Sequence, residues 1–153
     1  MMIRLVLLFL FFSTAYAACS QTTDTLTIDE TVIDDNFDET LCSGYNADDL
    51  KHVIITQATE ISTYSFFRDS SIESLTSNTL KESAHYAFQG CTALTSVSLP
   101  ALEKTGWGFL RDATALTSVS LPALEESGSY FLYGTTALTS VSLPVLTTAG
   151  NLN

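Results

Sequence analysis

What most constrains this chain is a segment that repeats itself. Ala93-Leu94-Thr95-Ser96-Val97-Ser98-Leu99-Pro100-Ala101-Leu102 returns unchanged from Ala115 to Leu124, and again from Ala137 to Leu146 with only Val145 altered. The spacing is 22 residues each time. A fixed period of that size marks an array in which each unit stacks on the next. Stepping back by the same interval recovers two further copies that identity alone hides. Leu94 maps to Ile72 and Leu50, Val97 to Leu75 and Val53, Leu102 to Leu80 and Ala58, and Leu110 to Phe88 and Phe66. One more step gives Ile28 and Ile33 but little else, so the residues before about 46 are assigned to a cap.

The pattern inside the unit says what each turn is made of. Val97-Ser98-Leu99 alternates with period two, which is a short strand. Pro100 lacks an amide donor and ends the pairing. The stretch from Glu103 to Asp112 turns back, and the column Ser62, Ala84, Gly106, Gly128, Gly150 supplies small residues for a tight turn. The second half of each unit is expected to bury Phe66, Phe88, Leu110 or Leu132. One unit cannot bury its apolar face alone, so neighbours must share a continuous core. The expected fold is of the α/β class, a solenoid with one short parallel strand per 22-residue turn.

At the middle copy the residues resemble a known family. Ser83-Ala84-His85-Tyr86-Ala87-Phe88-Gln89-Gly90-Cys91-Thr92-Ala93-Leu94-Thr95-Ser96-Val97-Ser98-Leu99-Pro100 is similar to the BspA-type leucine-rich repeat, whose unit reads roughly I-G-x-x-A-F-x-G-C-x-x-L-x-x-I-x-I-P. The resemblance covers residues 50 to 153. Later copies depart from it, with Phe109 and Phe131 in place of the Ala, and Ala113 and Thr135 in place of the Cys. The asparagine ladder of the commoner repeat class is replaced by Leu80, Leu102, Leu124 and Leu146. The resemblance implies a secreted or cell-surface microbial protein used in adhesion or binding, with no cofactor and no enzymatic activity. The chain then divides into a signal peptide at 1–17, an acidic N-terminal cap at 18–46 and BspA-like repeats at 47–153, the last incomplete.

The signal peptide rests on order of composition. Met1 to Arg4 give a positive start, Leu5 to Phe12 an apolar run, and Ala15-Tyr16-Ala17 a small-x-small cleavage site. The run is too short to cross a bilayer, which takes about 20 apolar residues, so no membrane insertion is expected after cleavage. Losing Arg4 takes the net charge from −11 to −12. Between Asp24 and Asp49 lie nine carboxylates and no Lys or Arg. Such a chain lacks the basic patch that contact with nucleic-acid phosphates needs. In an oxidising compartment Cys19 and Cys42, both on the N-terminal side of the array, are expected to pair, leaving Cys91 as a buried thiol. The odd count also allows a bridge between chains.

Candidate sites follow from which residues face outwards. Strand residues pointing away from the core form two columns, His52, Ser74, Ser96, Ser118, Ser140 and Ile54, Thr76, Ser98, Ser120, Ser142, with Lys51 beside the first. That face is the expected docking surface for an extracellular protein or glycan, and its varied end at Lys51, His52 and Ile54 is the better candidate. Tyr64, Tyr86 and Tyr130 share another column, interrupted by Gly108 with Trp107 beside it, and are expected to cover the edge of their own core. Glu60, Glu82, Lys104 and Glu126 read as a solvated face, with Lys104 flanked by Glu82 and Glu126. Asp34 to Glu39 resembles the start of a calcium loop, but Glu39 stands where Gly belongs and Tyr45 where the bidentate Glu belongs, so no metal site is expected. His52 and His85 lie one and a half turns apart, without a carboxylate or Cys at a motif spacing, so no catalytic residues are expected. The chain stops in mid-repeat with no polar cap on its last strand, so it is expected to be a fragment of a longer array, the alternative being that this open edge invites self-association through the C-terminal end.

Overall fold

The computed structural model describes residues 19–29, 33, 44, 46, 49–62 and 71–151. The expected signal peptide, Cys42, the acidic run from Asp34 to Glu39, Tyr64 and Phe66 lie outside the described residues. Twelve short strands follow one another among those residues. They are β1 (Cys19–Thr22), β2 (Thr25–Ile28), β3 (His52–Ile55), β4 (Glu60–Ile61), β5 (Ser74–Ser77), β6 (Glu82–Ser83), β7 (Ser96–Ser98), β8 (Lys104–Thr105), β9 (Ser118–Ser120), β10 (Glu126–Ser127), β11 (Ser140–Ser142) and β12 (Thr148–Ala149). Each repeat contributes two of them, on different walls of the coil.

The first wall is the sheet β1-β2-β3-β5-β7, continued by a separate two-stranded ladder of β9 and β11. The second wall is the sheet β4-β6-β8-β10-β12. All pairings between repeats are parallel, and their register steps by 22, as in Val53↔Leu75↔Val97 and Glu82↔Lys104↔Glu126. The chain is therefore a solenoid of about four turns. The second wall, with only two residues per strand, was not read from the sequence. Nor is the α/β class met among the described residues. The return half of each turn is a run of turns closed by a short strand, with no helix. Left-handed residues explain this, because they recur at alternate positions where a helix would need right-handed ones. Tyr86, Phe88 and Gly90 have φ of 59°, 58° and 79°, and one turn later Gly108, Leu110 and Asp112 have 66°, 57° and 60°.

Columns of side chains fill the interior. Leu50, Ile72, Leu94 and Leu116 are buried one above another, and so are Ala58, Leu80, Leu102 and Leu124. In the return half Phe88 meets Phe109 edge to face at 6.1 Å, and Phe109 stacks on Phe131 at 6.4 Å. The column Ala84, Gly106, Gly128, Gly150 is small for a reason other than the tight turn expected. A Cβ on Gly106 would stand 2.5 Å from the Ala84 carbonyl carbon and the His85 nitrogen, so successive backbones touch there.

The cap is less separate than its sequence suggests. Strand β1 runs antiparallel to β2, and β2 joins β3 in parallel, with Leu26 beside Val53 and Ile28 beside Ile55. Those partners are 27 residues apart, so a step of 22 passes them by. Thr56 and Gln57 fasten the joint by donating to the Asp29 carboxylate at 2.6 and 2.7 Å, and these two bonds hold its pKa below the ordinary 3.8.

Candidate binding face

Alternation along each strand decides which residues face out. On β3, Val53 and Ile55 are buried while His52 and Ile54 are half-buried on the other side, and β5 repeats this with Ser74 and Thr76 outward. Ser96 and Ser98, Ser118 and Ser120, and Ser140 and Ser142 are all exposed. The ten strand residues expected to share a face do so, with exposed Lys51 at its border. The face has a seam, however, because β7 and β9 belong to different hydrogen-bonded ladders.

The N-terminal end of this face is a knit cluster. Lys51 Nζ reaches Glu73 Oε1 at 2.7 Å, and this bond, with the carboxylate's charge, raises the lysine pKa above 10.5. His52 Nδ1 lies 2.8 Å from the Ser74 hydroxyl, while its Nε2 is 3.7 Å from Asp24 Oδ2. The sequence shows no carboxylate at a motif spacing from His52, and the one the structure places near it comes from outside any such spacing. Asp24 was missed because it sits in the β1–β2 turn, 28 residues away and off the repeat interval. His85 lies apart, its Nδ1 accepting the Trp107 backbone N–H at 2.8 Å.

Cys19 is disulfide-bonded, and its expected partner Cys42 lies outside the described residues. Cys91 is a fully buried thiol in the column continued by Ala113. Among the described residues no three of His, Cys, Asp and Glu gather as a metal site would need. No helix of those residues is long and apolar enough to cross a membrane.

A second exposed surface includes rings that the sequence placed over the core. Trp107, Tyr130 and Tyr133 are 53%, 37% and 45% exposed, so these rings do not seal the core as the sequence suggested for Trp107 and Tyr130. Tyr86 does cover its neighbour, since a Cβ on Gly108 would stand 2.5 Å from its ring. Arg111 lies 5.5 Å from the Tyr130 ring and 5.2 Å from the Tyr133 ring. Beside this ridge runs the outer face of the second wall. There Lys81 pairs with Glu103 at 2.9 Å and Lys104 with Glu126 at 3.6 Å. The ridge left little signal in the sequence, because its columns vary from copy to copy: His85, Trp107, Ser129 and Gln89, Arg111, Tyr133.

Parallel strands stacked in constant register are consistent with a leucine-rich repeat solenoid, and one comparison decides which kind. Residues 43–151 match the BspA type Leucine rich repeat region, in six copies. The chain belongs to the BspA-type leucine-rich repeat family. Membership of this repeat family suggests a role in protein interaction or recognition. Among solved structures the BspA-type chain is similar to the T. pallidum Leucine Rich Repeat protein, at 14% identity and a TM-score of 0.38, over 90% of this chain and 84% of that one. A likeness at that level carries no argument about function. No curated protein matches the chain significantly.

Proposed function

We propose that this BspA-type chain is a secreted or cell-surface recognition module that binds an extracellular protein or glycan on the outward face of β3, β5, β7, β9 and β11. The observation that carries the reading is the row from Ser96 to Ser142, six exposed hydroxyls on three successive strands of one face. Exposed sheets of solenoids are extended surfaces suited to such docking. The chain works in this reading without catalysis. Asp24, His52 and Ser74 touch in sequence, but 3.7 Å is longer than a hydrogen bond and Ser74 sits on a strand of an open face.

Residues 18–153, applied to glycan and matrix-protein arrays beside a Ser98→Arg/Ser120→Arg variant, test this. The expected result is retention on a defined ligand that the variant loses while keeping its circular dichroism. Equal retention by both proteins, or none by either, overturns the proposal.

A second reading is favoured by the last described turn. Val141 and Val145 are 49% and 45% exposed, whereas Val119, one turn earlier than Val141, is 3% exposed. An apolar end face of this kind is where a further repeat or a second copy would stack, and sedimentation of residues 18–153 tests the second copy.

A further inference from the structure

The second wall carries a charge imbalance at its N-terminal end. Glu60 and Glu82 are partners in the parallel register of β4 and β6, which places two like charges on adjacent rungs. Like charges directly opposite one another destabilise a sheet unless something lies between them. Both lysines of this face are engaged elsewhere, Lys81 with Glu103 and Lys104 with Glu126. Neither Glu60 nor Glu82 has an ion-pair partner among the described residues.

These carboxylates border a groove of about 290 Å³, lined also by Ile61, Ala84, His85 and Gly106. Its size is at the lower end of ligand pockets, which suits one long side chain better than a drug-sized molecule. Next to the lining residue His85 stands Trp107, half-exposed, its ring 5.1 Å from that of His85. Aromatic faces beside carboxylates favour a cation, attracted by ring quadrupole and charge together. The chain fills a neighbouring place of that kind itself, with the Arg111 guanidinium over Tyr130 and Tyr133 and 3.3 Å from Asp112.

We propose that the groove lined by Glu60, Glu82 and His85, with Trp107 packed beside His85, receives a guanidinium or ammonium side chain from a basic segment of a partner protein. A guanidinium fits best, because its plane stacks on the indole while its edge meets a carboxylate. The net charge of −12 once Arg4 is removed steers such a segment toward the protein. The site is separate from the serine-rich face and stands or falls without it.

Trp107 is the one tryptophan in the chain, so its fluorescence reports on the groove directly. Residues 18–153 are titrated at low ionic strength with an acetylated, amidated Gly-Arg-Gly-Arg-Gly peptide, with its citrulline counterpart and with cellotetraose. The arginine peptide is expected to give a saturable change that added salt reverses. Glu60→Gln/Glu82→Gln, with both side chains exposed and the fold checked by circular dichroism, should weaken binding about tenfold. Three results overturn the proposal: no change with the arginine peptide, an equal response to the citrulline peptide, or undiminished binding by the double variant. A response to cellotetraose alone overturns it too, and makes the groove a sugar platform.

Discussion

At Gly128 an added Cβ would stand 2.5 Å from the carbonyl carbon and oxygen of Gly106 and 2.7 Å from the Trp107 nitrogen. Backbone cannot swing aside as a side chain can, so the stacked turns must separate to admit one methyl group. Gly90 differs, with φ at +79° and open space around its absent Cβ. Its substitution meets only the cost of a left-handed residue, about 1–2 kcal/mol. The protein tolerates that conformation elsewhere, since Phe88, Leu110 and Leu132 adopt it with φ near 58°. Gly128→Ala is expected to destabilise the fold by about 3 kcal/mol, the upper end for overpacking, and Gly90→Ala by about 1 kcal/mol. Urea midpoints of the two variants measure the difference. A smaller shift for Gly128→Ala would mean that the turns do not touch at this column.

Strands and columns show where the sequence was informative. The columns through Leu94 and Leu102 and the outward serines were legible because identical residues recur at one interval and alternate within it. Strand β2 was obscured because its partners in β3 lie 27 residues away. The second wall was obscured because two residues per strand are too few to show alternation. The aromatic ridge was legible only in part: Trp107 and Tyr130 stood out but as cover for the core, while Arg111 and Tyr133 repeat nothing that a fixed step finds. The phenylalanine column is the element on which the return half of the coil depends. Phe109 is fully buried between Phe88 and Phe131, touching both rings. Phe109→Ala should therefore cost about 3–5 kcal/mol, as for other buried aromatics cut to alanine. Leu132→Ala, in a half-buried neighbour, should cost less. Thermal unfolding followed by circular dichroism tests the order, and a reversal would place the core of the return half elsewhere.

The two ends of the molecule are unlike. At the N-terminal side β1 ends the first wall by running antiparallel to β2, and its Cys19 is disulfide-bonded. At the other side β11 pairs with β9 and β12 with β10, each leaving one strand edge open among the described residues. Between those edges lie exposed Val141 and Val145 and the partly buried Leu138, Leu143 and Leu146. Open edges around an apolar face form a template for another strand pair. Those edges would be covered either by a further repeat in the same register or by the matching end of a second copy, and isologous contacts of the second kind stop at a dimer. Sedimentation of residues 18–153 should show a monomer–dimer equilibrium without longer polymers. Salt should strengthen the dimer by screening the repulsion between two strongly acidic chains. Val141→Lys/Val145→Lys should give monomers whose unfolding midpoint is little changed, because both side chains are already exposed. A monomer that persists at high concentration and high salt would sink self-association as a function of this end.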